Sequence, residues 1–177
     1  MDSTYKTNRY KLPLLDVVVV TPNSQTVSLA YAFLSEESDK DYTWSLQQFR
    51  SRLGKLFGSR NITVVVDREL ALIAGIRAVF FRATVKICIW YVNKNVQEKA
   101  KSKVRHRNCQ ISGDTWLNKH KEQFTAAWTR DVSHFGHSTT SRVEGIHAYL
   151  KHWIGVSTLD LDEVYTNLVL AGETQRR

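Results

Sequence analysis

Cysteine is scarce in this chain, and long apolar runs are missing. Its 177 residues hold two cysteines, Cys88 and Cys109. Two thiols so placed make neither a disulfide framework nor the CxxC pairs of a zinc module. That usage fits a reducing compartment. No stretch approaches the ~18 consecutive apolar residues of a membrane span, so no membrane partner is expected. Residues 1–15 carry charges throughout and lack the apolar centre of a signal peptide. There is no internal repeat and no low-complexity segment.

What is present suits a globular domain. The chain is 42% apolar and 24% charged, and its length can bury a real core. Lys and Arg number 25 against 17 Asp and Glu, a net charge of +8. The pI is near 9.6. This balance favours a polyanionic partner such as nucleic acid.

The apolar patterning predicts a mixed order of elements. Leu12–Thr21 reads as a strand that Asp16 interrupts. Thr21-Pro22-Asn23-Ser24 is a turn, and residues 27–33 alternate with the period of a strand. So short a turn predicts an antiparallel hairpin, with the first arm the deeper one. Tyr42, Leu46, Phe49, Leu53 and Leu56 form an amphipathic helical stripe, with Asp39 or Asp41 as cap and Gly54 and Gly58 near its end. Ile62–Val66 is a β-branched run that predicts a strand buried on both faces. A helix to about Phe80 and a strand over Thr84–Trp90 follow. Basic residues Lys94, Lys99, Lys101, Lys103, Arg105 and Arg107 mark a helix from Val92 that frays near Asn108–Gly113. Helices are predicted over Trp116–Trp128, Arg142–Trp153 and Leu159–Leu170, with a polar loop carrying His134 and His137 before the second of these. Hairpin, helix, strand, helix, strand and then helices alone is the order of a ribonuclease-H-like α/β fold, provided one more strand precedes the hairpin.

Three acids are candidates for the chemistry. Asp67 ends the strand 62–66, where open α/β folds place their sites. It fits either a helix N-cap or a metal ligand. Asp2 would stand beside it at the end of a first strand. Glu144 lies in S-R-V-E-G-I-H, where Ser141-x-x-Glu144 also matches a capping box. Glu144, His147 and Lys151 share one helical face. Divalent metal needs hard oxygen ligands, and two such ions can cleave a phosphodiester.

Several blocks resemble the catalytic domain of Mutator-like element (MULE) transposases. They are D-S-T-Y-K-T-N-R-Y-K-L-P-L-L-D-V-V-V-V-T at 2–21, A-F-L-S-E-E at 32–37, V-V-D-R-E-L-A-L at 65–72, C-I-W-Y-V-N-K-N-V at 88–96 and H-F-G-H-S-T-T-S-R-V-E-G-I-H-A-Y-L-K at 134–151. The resemblance implies a ribonuclease-H-like fold and a DDE triad of Asp2, Asp67 and Glu144. It also implies a Mg²⁺ or Mn²⁺ two-metal site, DNA cleavage and strand transfer, and a nuclear location. It favours the ligand role for both Asp67 and Glu144.

Three departures qualify the match. The apolar strand that leads into the first acid is absent, so a truncated first strand is expected. The family's Cys-x-x-His appears as Cys88 with Tyr91, and a phenol does not replace an imidazole. Without the pair, Cys88 becomes a small buried residue. The helical insertion before Glu144 is short. The expected division is a core over 1–91, a shortened insertion over 92–133 and C-terminal helices over 134–177. The alternative function is that of a domesticated or decayed relative, a DNA-binding or transcription-regulatory protein without catalysis. A homo-oligomer is among the states the sequence allows. Trp44, Trp90, Trp116, Trp128 and Trp153 are expected mostly in the core rather than as base-stacking platforms.

Overall fold

The computed structural model describes residues 1–21, 23–57, 62–94, 97, 121–124 and 139–175. A short strand, β1 (Asp2–Thr4), leads to a hairpin of β2 (Leu14–Val20) and β3 (Thr26–Phe33). Helix α1 (Asp39–Phe57), strand β4 (Thr63–Val66), helix α2 (Leu70–Val79) and strand β5 (Thr84–Ile87) follow. Residues 89–94 are helical. Lys121–Gln123 form a 3-10 turn, and helices α3 (Ser141–Ile154) and α4 (Leu161–Gln175) come last. The architecture is mixed α/β, and among the described residues everything after β5 is helix, turn or loop. Lys99–Arg107, Cys109, the loop with His134 and His137, and the helix over Trp116–Trp128, apart from the turn at its middle, lie outside the described residues.

β2 is antiparallel to both β1 and β3, with Asp2 opposite Asp16 and Leu14 opposite Phe33. This central position explains why β2 is the deeper arm of the hairpin. β4 and β5 run parallel, with Val66 opposite Ile87. The Met1 nitrogen donates to the Val65 carbonyl at 3.2 Å, which brings the start of β1 against β4.

The pleat of β2 divides its side chains between two apolar clusters. Leu15 and Val17 pack with Tyr42, Leu46 and Phe49 of α1, Leu72, Ile73, Ile76 and Val79 of α2, and the valines of β4. Leu14 packs with Leu150 and Ile154 of α3 and Val164, Leu168 and Ala171 of α4. Helices α1 and α2 approach closely at Gly75, where a Cβ would sit 3.3 Å from the Thr43 nitrogen and from the Tyr42 Cβ.

Several local expectations change. β4 is covered on one side only: Val64 and Val66 are buried, while Thr63 and Val65 are half-buried. β5 stops at Ile87. The Cys88 N–H closes on the Val66 carbonyl at 2.8 Å, and the Cys88 carbonyl then accepts from Val92. Ile89 and Trp90 therefore leave the sheet on a helical turn. Trp90 is 51% exposed and Trp44 59%, so neither is a core residue. Ser38, rather than Asp39 or Asp41, caps α1, accepting the Asp41 N–H on its hydroxyl at 3.2 Å. α1 also continues through Gly54 to Phe57. α4 runs on to Gln175, whose side-chain oxygen accepts the Ser28 N–H at 3.2 Å and ties the helix end to β3.

Candidate functional site

Asp2 lies on β1 and Asp67 follows the last residue of β4. The contact between Met1 and Val65 brings these two strand ends together. The Asp2 carboxyl is pushed up to about 7, first by burial and then by the Asp67 charge, with Glu144 adding to it. Burial also raises Asp67 above the usual carboxylate range. Tyr91 is raised by burial and then by Asp67, Asp2 and Glu144. The three acids, contributed by β1, the end of β4 and α3, thus share one electrostatic neighbourhood.

Neither capping alternative describes these acids. The N-cap of α2 is Glu69, whose side chain accepts the Ala71 N–H at 3.2 Å. Asp67 instead accepts the Glu69 N–H at 3.3 Å in an Asx-type turn. Helix α3 has Thr140 as N-cap, with no side-chain cap bond. The helix thus starts one residue earlier than a Ser141 capping box requires, and its N3 position is Val143 rather than Glu144. Glu144 is exposed and makes no cap.

Cys88 has more to do than fill space. It is 1% exposed, and its sulfur accepts from both the N–H and the hydroxyl of Thr140, each at 3.4 Å. Sulfur is a weak acceptor, but two bonds to one residue fix a position. They fasten the first turn of α3 to the end of β5. Glu144 is placed, through that turn, near the strand ends that carry Asp2 and Asp67.

Two buried polar side chains accompany the acids. His147 Nδ1 stands 3.9 Å from Asp2 Oδ2, too far for a direct hydrogen bond. Burial, with Lys151 adding, pushes the imidazole down to about 4, so it is neutral at pH 7 and forms no ion pair with Asp2. Its Nε2 is buried without a partner among the described residues. Asp16 is fully buried on β2, accepts the Ser28 hydroxyl at 3.1 Å and leaves Oδ1 unpartnered. Burial pushes Asp16 up to about 7. The sequence carried one signal of this, an acid inside an apolar run. The proximity of His147 to Asp2 had one too, the helical face it shares with Glu144, but the distance depends on how α3 lies over the sheet.

Asp2 and Asp67 suit a hard divalent cation by donor type. Two half-buried carboxylates, each raised by burial and one of them also by the other's charge, are relieved by positive charge, and Mg²⁺ sites commonly use one or two such groups. Among the described residues, no three His, Cys, Asp or Glu side chains converge tightly enough to hold a metal ion. Asp2 and Asp67 thus fit a cation by donor type.

Known proteins resemble the chain as follows. The family model described as MULE transposase domain matches residues 1–95. Protein FAR1-RELATED SEQUENCE 5 of Arabidopsis thaliana is 24% identical over 163 residues, covering 90% of this chain and 20% of that protein. Protein FAR-RED IMPAIRED RESPONSE 1 of the same plant is 21% identical over 159 residues, covering 86% of this chain and 18% of that protein. The PKS-NRPS hybrid synthetase cheA of Chaetomium globosum is 27% identical over 106 residues, covering 60% of this chain and 2% of the synthetase. The chain therefore spans a fifth or less of each of these relatives. No solved structure matches it.

Proposed function

The chain belongs to the MULE transposase domain family, and on that footing we propose that it is the catalytic core of a DDE-type DNA transposase with Asp2, Asp67 and Glu144 as its triad. The observation that carries this reading is the meeting of two strand ends, where the Met1 nitrogen donates to the Val65 carbonyl and brings Asp2 beside Asp67, with the charges of Asp67 and Glu144 both felt at Asp2. A ribonuclease-H-like plan is part of the proposal. Its support is the sequence of strands, with an antiparallel β1-β2-β3 sheet, a parallel β4-β5 pair and Met1 joining the two at Val65.

Asp2 and Asp67 would hold the metal, and Glu144 would close on it from α3. When bound, Mg²⁺ or Mn²⁺ supplies Lewis acidity towards the scissile phosphate and the attacking water or hydroxyl. The chain's own part is placement. The Glu69 N–H holds Asp67 by one oxygen, the Ser3 N–H holds Asp2 by one oxygen at 2.9 Å, and Cys88 holds α3 through Thr140. The apolar packing beneath the strand ends keeps water from one side of the carboxylates. DNA is the proposed partner, supported by the family and the +8 charge, and the nucleus is the proposed location.

A second reading has its own support. Tyr91 stands where the family pattern has histidine, and one of the relatives carries a name that refers to an impaired far-red response rather than to transposition. A DNA-binding regulator derived from a transposase fits both facts. The two readings separate in one experiment. Purified protein with Mn²⁺ and element-end duplex should nick the duplex, and Asp67→Asn or Asp2→Asn should reduce nicking by about a hundredfold or more. Nicking that survives Asp67→Asn overturns the triad. Duplex binding with no nicking by the unaltered chain supports the regulator.

A further inference from the structure

We propose that Trp90, braced by Lys94, is a stacking surface for an unpaired nucleobase of DNA bound beside the carboxylate site. The inference rests on the DNA-binding part of the proposed function and goes beyond it by naming a contact and the form of DNA it takes. Trp90 is 51% exposed, and Ile89 before it is 37% exposed. Tryptophan is highly buried on average, so a half-exposed indole beside a candidate site is informative. Its position follows from the end of β5. The chain leaves the sheet at Cys88 and turns into helix, which carries residue 90 outward instead of into the core.

The ring is held rather than free to move. The Tyr91 ring meets it edge-on, at 5.0 Å between centroids and 89° between planes. Lys94, one helical turn on, places its Nζ 5.1 Å from the indole centroid. Tyr91 in turn lies in the fields of Asp67, Asp2 and Glu144. The indole is therefore one residue from a side chain that belongs to the acidic site. Lys94 lies over one face of the indole, so a base of single-stranded nucleic acid would use the exposed remainder of the ring. The base stacks on the ring, in a way that tolerates any sequence, and the cation meets the adjoining phosphate. A closed duplex does not present base faces, so the surface selects unpaired or extruded nucleotides. The chain's net charge of +8 favours the same partner.

The test is equilibrium binding of a short oligothymidylate, and of a duplex of equal length, in EDTA. Trp90→Leu should weaken oligothymidylate binding by about five- to a hundredfold and leave duplex binding within about twofold. Trp90→Phe should recover most of the loss. Lys94→Ala should lower the slope of log affinity against log salt by about one contact. Circular dichroism checks that each variant is folded, and the solvent position of Trp90 makes the Phe variant safe in any case. Oligothymidylate binding that is unchanged in Trp90→Leu, or lost equally for duplex, overturns the proposal, and so does a chain that binds neither strand form. Because no metal is present, a chain that fails to nick DNA but shows the Trp90 dependence supports this contact while the catalytic reading fails. A chain that nicks DNA without the Trp90 dependence retains the catalytic reading and loses this contact.

Discussion

Asp16 shows at a single residue how sequence and burial conflict. An apolar strand between two neighbours has no water to offer a carboxylate, and Ser28 supplies one hydrogen bond where a charged group needs several. The protonated form is therefore favoured in the fold, with the carboxyl at about 7 against 3.8 for an unperturbed aspartate. A raised carboxyl contributes stability that is full below about pH 3.8 and is lost as pH rises through about 7. The loss is on the order of a few kcal/mol. Thermal melts from pH 5 to pH 8 should show a falling melting temperature, and Asp16→Asn should flatten that fall. A parallel decline in the variant would show that Asp16 is not its source. Asp67, by contrast, was legible at its own position. A polar residue that closes a β-branched run is a strand end whatever surrounds it, and only its rivalry with helix capping needed the structure. Glu69, two residues later, settled that rivalry by taking the cap.

Among the elements, the strands and helices with clear periodicity were legible because each period is a local property. The hairpin, α1, α2 and α3 follow their apolar stripes. β5 was overread because Ile89 and Trp90 continue its alternation in sequence, whereas Cys88 ends the ladder by bonding to Val66. Pattern alone does not see where a partner strand runs out. The crossing of α1 and α2 was equally hidden, since it depends on one glycine. A methyl group at Gly75 would press on the α1 backbone at Thr43, which cannot yield as a side-chain tip does. Gly75→Ala should destabilise the fold by about 1–3 kcal/mol, measured by urea denaturation. Full stability in that variant would mean that the helices separate without loss. At Gly155, which ends α3 at a φ of +76°, any side chain meets backbone strain instead of crowding.

Across the whole molecule, β2 joins the two apolar clusters, since Leu15 and Leu14 point to opposite faces of one strand. Disturbing one cluster should therefore be felt by the other. Leu150 is fully buried against Leu14, and Leu150→Ala should cost about 2–5 kcal/mol. Amide hydrogen exchange in α2, of the first cluster, and in α4, of the second, should report a single cooperative transition in the variant. Two separated transitions would show that the clusters unfold independently. The same substitution loosens the helix that carries Glu144, so the candidate site should weaken with the core.

Several properties of this chain were decided by its residues in order. These are the basic charge, the α/β alternation, the hairpin and the family blocks, because each is a matter of composition, spacing or local period. Tertiary structure alone decided which residues meet. It put Asp16 out of reach of water, turned Trp90 outward, set His147 beside Asp2 and tied α3 to β5 through Cys88 and Thr140. Those outcomes depend on contacts between segments far apart in sequence, and no local pattern records the distance or the burial that such contacts create.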